Sequence, residues 1–68
     1  MNDLPLAPID RLIRKSGAER VSEDASEAMA NIIADFVQDL STQAYKLAKH
    51  AGRKTITAED VQLAAKEF

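Results

Sequence analysis

Residues 22 to 51 read SEDASEAMANIIADFVQDLSTQAYKLAKHA and contain neither glycine nor proline. Apolar residues recur in this run at intervals of three and four, which places them along one side of an α-helix. Ser22 is a suitable N-cap, acidic residues occupy the first turns, and Gly52 follows as a C-terminal stop. The pattern therefore predicts a single helix about 45 Å long, at about 1.5 Å per residue.

A shorter helix is predicted on each side of the long one. Pro5 and Pro8 mark the start of the first helix, where proline is tolerated, and Gly17 ends it. Thr57 caps the last helix, which has acidic residues in its first turn and an apolar side that continues to Phe68. The two loops between the helices contain β-branched residues, so we expect short extended segments there.

The length of 68 residues indicates one domain, residues 1–68, with a short polar end at residues 1–3 and no tails. Such a short chain buries a modest share of its surface and is marginally stable alone. It has no cysteine, so no disulfide can stabilise it. The apolar side of the long helix therefore needs a second chain to cover it. The predicted dimer core consists of Met29, Ile32, Ile33, Phe36 and Leu40.

Several classes of function are disfavoured by the sequence. The apolar runs are too short to cross a membrane, and the N-terminus does not resemble a signal peptide, so we expect a soluble cytoplasmic protein without a membrane partner. Ser22 or Ser41 with His50 and an acid lack the spacing and the pocket of a hydrolase, so no catalytic residue is predicted. One histidine and no cysteine are too few ligands for a metal. We expect no cofactor and no small-molecule substrate.

The charged residues are segregated along the chain, although the formal net charge is only −2. Residues 23–39 contain five acidic side chains and no basic one, whereas residues 41–57 contain four Lys or Arg and no acid. Residues 8–20 contain four basic side chains against two acidic ones. Two basic zones therefore flank an acidic zone, and the fold decides whether they form one basic face.

Three runs of the sequence resemble the archaeal histones: LPLAPI at residues 4–9, GAERVS at residues 17–22 and KLAKHAGRKTITAED at residues 46–60. The resemblance extends over the whole chain, and the third run is long and specific. It implies the all-α histone fold, with a short helix, a loop, a long central helix, a loop and a short helix. It also implies an obligate head-to-tail dimer, in which the first loop of one chain lies beside the second loop of the other.

The resemblance assigns expected DNA-binding roles to five residues. Arg20 resembles the arginine that enters the minor groove, and Thr55 resembles the residue that steadies it from the paired loop. Lys54 matches a phosphate contact, and Arg11 and Arg14 match basic positions of the first helix. Histones of this kind bind through inserted arginines and backbone contacts rather than through base-specific contacts.

Further roles implied by the resemblance are structural. Arg53 and Asp60 match a salt bridge within the chain, so Arg53 is expected to stabilise the fold rather than to contact DNA. Leu47, His50 and Asp60 match a four-helix contact between dimers. Gly17 matches the position that allows close approach when turns of a histone superhelix stack.

The expected function is that of an archaeal chromatin protein that binds, bends and wraps double-stranded DNA with little base specificity. It would act as a homodimer, or as a heterodimer with a paralogous histone, and would assemble into tetramers or larger units on the chromosome. The alternative is a histone-fold dimerisation partner that modulates or caps other histones and binds DNA weakly alone. The net charge of −2 favours the alternative, whereas Arg20, Lys54 and Thr55 favour direct DNA binding.

Overall fold

The computed structural model describes residues 4–68, which form three α-helices: α1 (Leu6–Arg14), α2 (Glu23–His50) and α3 (Ala58–Ala65). The predicted order of a short, a long and a short helix is confirmed. The polar end predicted at residues 1–3 lies outside the described residues. The chain divides within α2, after Asp35, so α1 shares one unit with the start of α2 and α3 shares the other with its end.

The ends of α1 follow from its proline and glycine residues. Pro5 is the N-cap with an extended backbone (φ −66°, ψ 135°), and Pro8 lies in the first turn, where a backbone N–H has no partner within the helix. At the other end the Gly17 N–H donates to the Arg14 carbonyl at 3.0 Å. Gly17 has a φ of 111°, which an L side chain rarely adopts, so glycine is required at this turn.

Both predicted caps of α2 are present. The Ser22 Oγ accepts a hydrogen bond from the Ala25 N–H at 3.0 Å, which satisfies a free donor of the first turn. At the C-terminus, Gly52 has a φ of 77°. The Arg53 N–H donates to the Ala48 carbonyl at 2.8 Å, and the Gly52 N–H donates to the Lys49 carbonyl at 2.9 Å. These two bonds form a Schellman motif, which stops the helix and turns the chain into the second loop.

The start of α3 is a reciprocal capping box. The Thr57 Oγ1 accepts from the Asp60 N–H at 3.3 Å, and the Asp60 Oδ2 accepts from the Thr57 N–H at 2.9 Å. Two donors of the helix end are thereby satisfied by neighbouring residues. Short extended segments were predicted in the two loops, but no β-strand is formed within residues 4–68. Strand hydrogen bonds need a second segment alongside, and the predicted pairing is between two chains.

Small side chains account for most of the buried residues. Ile9, Ser26 and Ala30 are buried in the first unit, and Ala44, Ala48, Asp60 and Ala64 in the second. Within residues 4–68 no large side chain is fully buried. Large apolar side chains remain exposed on the single chain: Leu4, Leu12, Met29, Ile32, Phe36, Val37, Tyr45, Leu47, Ile56, Val61, Leu63 and Phe68. No helix in the described part of the chain is long and apolar enough to cross a membrane.

Candidate nucleic-acid interface

The first basic zone is presented by α1 and the loop that follows it. Arg11 and Arg14 are exposed and three residues apart, so they share one side of α1. Arg20 is exposed in the loop between α1 and α2, three residues after the turn at Gly17. All three predicted DNA-binding arginines therefore lie within one unit of the chain.

Arg14 differs from the other two arginines because its guanidinium is engaged within the chain. Its Nε donates to the Asp10 Oδ2 at 2.8 Å, in an ion pair one helical turn apart. Its Nη1 donates to the Glu19 backbone carbonyl at 2.8 Å. The family resemblance implied a DNA contact for Arg14 and no role for Asp10 or Glu19. The spacing of four residues between Asp10 and Arg14 is the signal from which their pairing could have been predicted.

The second basic zone contains the loop between α2 and α3. Lys54 and Thr55 are exposed there. The Arg53 Nη1 donates to the Thr55 carbonyl at 3.1 Å, which closes a short ring across this loop. Arg53 therefore braces the backbone that carries Lys54 and Thr55, while the Lys54 side chain remains exposed.

Arg53 and Asp60 form a bidentate ion pair. The Arg53 Nη1 lies 2.7 Å from the Asp60 Oδ2, and its Nη2 lies 2.9 Å from the Asp60 Oδ1. The Asp60 side chain is only 3% exposed, whereas that of Arg53 is 40% exposed. The structure thus places the expected salt-bridge partners together, in the parallel geometry that makes guanidinium–carboxylate pairs strong.

The charge state of Asp60 follows from these bonds. The Arg53 guanidinium, together with the Thr57 N–H, holds the pKa of the Asp60 carboxyl far below its usual range. The same hydrogen bond raises the pKa of Arg53. Both groups are therefore charged across the ordinary pH range, and Arg53 is committed to joining the loop to α3.

The residues predicted to join one dimer to another lie in the second unit. Leu47 and His50 are exposed and three residues apart near the end of α2, so they share one side of the helix. Asp60 is buried and already accepts hydrogen bonds from Arg53 and Thr57. Any bond from His50 of another dimer would have to use the remaining capacity of the Asp60 carboxylate.

The predicted dimer core is accessible on the single chain. Met29, Ile32 and Phe36 are 40%, 64% and 47% exposed, and Ile33 and Leu40 are half-buried.

In the described residues no cluster of three or more His, Cys, Asp or Glu side chains is arranged to hold a metal ion. The predicted meeting of Arg20 with Lys54 and Thr55 concerns two chains and stays a prediction.

A family model described as histone-like transcription factor (CBF/NF-Y) and archaeal histone matches residues 2–65. The chain belongs to this family. Its three helices, in the order short, long and short, are those of the histone fold, so both the predicted fold and the predicted family are confirmed. This is a family of structural DNA-packaging and transcription-factor proteins rather than of enzymes.

Individual relatives agree with this assignment. The chain is 58% identical over 66 residues to one of the subunits of the archaeal histone HAN1 from Thermococcus zilligii, covering 97% of this chain and 98% of the relative. It is 42% identical over 64 residues to probable archaeal histone 3 of Methanocaldococcus jannaschii, covering 94% and 96% of the two chains. Histone H4 of Dictyostelium discoideum is 33% identical over 66 residues, which span 97% of this chain and 61% of H4.

Proposed function

We propose that this histone-fold protein binds, bends and wraps double-stranded DNA with little base specificity, and so packages the chromosome in the cytoplasm. The observation that carries the proposal is the geometry of the second loop. Arg53 is held by Asp60 and by the Thr55 carbonyl, so the loop that presents Lys54 and Thr55 is fixed before DNA arrives. A preorganised loop loses less conformational freedom on binding than a mobile one.

The functional unit in this proposal is a head-to-tail dimer of the whole chain, residues 1–68. The exposed apolar side chains of the single chain support it, because Met29, Ile32 and Phe36 on α2 remain 40%, 64% and 47% exposed. Full burial of one such side chain contributes about 1.5–3 kcal/mol relative to its exposed state. A second copy, or a paralogous histone with the same apolar side on its long helix, supplies matching apolar surface.

On DNA, the two basic zones act through phosphates and the minor groove. Arg20 enters the minor groove, Thr55 of the partner subunit steadies it, and Lys54 and Arg11 contact phosphates. The N-terminus of α1 supports this arrangement, because its first turn contains no acidic residue and Pro5 makes no side-chain capping bond. Its free N–H groups and helix dipole favour a phosphate.

Larger assemblies extend the same proposal. Leu47 and His50, with Asp60 beside them in the family pattern, form a contact between dimers. Gly17 allows neighbouring turns of a superhelix to approach. Within residues 4–68 no atom outside Gly17 and its two chain neighbours lies within 4 Å of the position that a Cβ would take at Gly17, so this surface is open to a neighbour.

The decisive experiment is a titration of duplex DNA with the purified protein at several salt concentrations. The proposal expects the logarithm of the DNA-binding constant to fall linearly with the logarithm of the salt concentration. The slope should be about −0.9 per phosphate neutralised. Nuclease digestion of the complex should leave protected fragments, which report wrapping. Failure to bind duplex even at low salt would overturn the proposal.

A dimerisation partner that binds DNA weakly alone is the second candidate. The net charge of −2 favours it, and the relative from Thermococcus zilligii is named as one subunit of a histone, which indicates assembly with another chain in that protein. The same titration separates the two candidates when it is repeated after mixing with a paralogous histone. The second candidate expects weak binding alone and altered protected lengths in the mixture.

A further inference from the structure

The Arg14 side chain joins the end of α1 to the loop that carries Arg20. Its Nε and Nη1 donate to two acceptors that are nine residues apart in the chain, the Asp10 carboxylate and the Glu19 carbonyl. Both bonds are 2.8 Å long, which is short for a nitrogen donor and typical of a charged one. The planar guanidinium thus acts as a bridge with fixed geometry.

The acceptor at Glu19 matters because of its place in the backbone. Its carbonyl belongs to the peptide group that connects Glu19 to Arg20, and peptide groups are planar. A hydrogen bond to that oxygen therefore orients the peptide plane that contains the Arg20 backbone nitrogen. Residues 18–20 are exposed, and the turn before them relies on Gly17, a residue with wide conformational freedom. The Arg14 hydrogen bond connects this exposed segment to the end of α1.

We propose that Arg14 is a positioning residue for Arg20, anchored by Asp10, rather than a phosphate contact. The inference rests on the proposed DNA-binding function. Arg14 orients the loop so that Arg20 is already aimed at the minor groove when DNA arrives. The Asp10 carboxylate offsets part of the charge of Arg14, and the two hydrogen bonds turn its guanidinium toward acceptors within the chain.

Arg11 provides a matched comparison on the same helix. It is exposed like Arg14, yet its guanidinium makes no hydrogen bond within residues 4–68. Arg11 is therefore free to contact a phosphate directly. Truncation of Arg11 should act independently of Arg20, whereas truncation of Arg14 should act through it.

A double-mutant cycle on DNA binding tests this distinction. Arg14→Ala and Arg11→Ala are each measured alone and in the Arg20→Ala background, by salt-dependent titration of duplex DNA with the full-length protein. In the Arg20→Ala background we expect Arg14→Ala to change the affinity by less than about twofold. Arg11→Ala should keep its full effect there and flatten the salt slope by about two per dimer.

A measurement without DNA keeps the inference testable by itself. The order parameter of the Arg20 amide, from ¹⁵N relaxation, should be near 0.85 in the parent and fall toward 0.6 in Arg14→Ala, as expected when a rigid backbone becomes flexible. Arg11→Ala should leave it unchanged. Circular dichroism verifies that all variants retain the helices.

The outcomes separate the two proposals. If the parent protein binds no duplex at low salt, the proposed function is overturned and this inference with it. If the parent binds but Arg14→Ala keeps its full loss and its slope change in the Arg20→Ala background, only the inference is overturned. Arg14 is then a phosphate contact. An unchanged Arg20 order parameter in Arg14→Ala would overturn the inference as well.

Discussion

The rings of Phe36 and Phe68 meet edge to face, with centroids 5.3 Å apart and planes inclined at 75°. The last residue of the chain therefore packs on the middle of α2 within the second unit. Both rings are still about half exposed, at 47% and 59%. Phe36 consequently packs against Phe68 on one side and has an exposed side that a second chain can cover.

Truncation of Phe36 tests the proposed dimer. Phe36→Ala removes the ring pair and part of the apolar stripe, and removal of a large buried side chain costs about 3–5 kcal/mol. Because each dimer carries two copies, the melting temperature should fall steeply. The melting temperature of the parent should rise with protein concentration, as expected when folding and association are linked.

Tyr45→Ala is a suitable control for this change, because Tyr45 is also exposed but lies outside the predicted dimer core on α2. Its effect should be much smaller than that of Phe36→Ala. Circular dichroism melts over a wide concentration range, together with sedimentation, provide the measurement. A monomer that melts at the same temperature at all concentrations would disprove the dimer.

The stability should decrease in acid through Asp60. The pKa of Asp60 is lowered by the hydrogen bonds from Arg53 and Thr57, so its folded pKa lies below its unfolded one. The ionised Asp60 carboxylate therefore stabilises the fold fully at pH values above the ordinary carboxyl pKa of about 4. This stabilisation is lost as the pH falls below that value. Asp60→Asn should melt at a lower temperature near neutral pH, and its deficit should shrink between about pH 4 and pH 2.

Glu59→Gln is the matched control for Asp60→Asn, since Glu59 lies in the same first turn of α3. It should leave the acid profile close to that of the parent. Thermal melts at a series of pH values measure the effect. A constant difference between Asp60→Asn and the parent over the whole series would show that the ion pair does not govern the acid response.

DNA binding should separate Lys54 from Arg20. Lys54→Ala should weaken binding to all duplexes alike and flatten the salt slope by about two per dimer, because each dimer has two copies. Arg20→Ala should also reduce any preference for flexible or narrow-groove sequences, because it removes a side chain from the minor groove.

A charge control from the acidic zone completes this test. Asp39 is exposed on α2, so Asp39→Asn raises the net charge without touching the proposed DNA face. Its effect on affinity should be much smaller than that of Lys54→Ala. The proposed face is wrong if Asp39 governs binding while Lys54 and Arg20 do not affect it.

The contact between dimers predicts a change in the length of protected DNA. Leu47→Glu or His50→Glu places a bulky acid on the exposed end of α2 and should disrupt only the four-helix contact. The dimer should remain intact in sedimentation, while nuclease digestion should leave shorter protected fragments. Protection lengths equal to those of the parent would indicate that this protein does not use the contact.

The helices and their ends were predictable because their determinants are local. Ser22 caps α2 through a residue three positions away, Gly52 takes the left-handed conformation at its end, and Thr57 pairs with Asp60 within one turn. Each of these interactions joins residues that are close in the chain, so residue type and spacing suffice to anticipate it. The family resemblance could be recognised from the sequence for the same reason, because continuous runs of residues carry it.

The Arg53–Asp60 pair was expected from the family resemblance, but the partners of Arg14 were not. The resemblance assigned Arg14 to DNA, whereas the turn at Gly17 brings the Glu19 carbonyl back to its guanidinium. Likewise, the burial of Asp60 follows from packing of α3 in the second unit. The pattern of residue types alone established the helices, their caps and the family. Tertiary structure decided that the Arg14 guanidinium also binds the Glu19 carbonyl and that Asp60 is buried, because both depend on distances between groups that only folding sets.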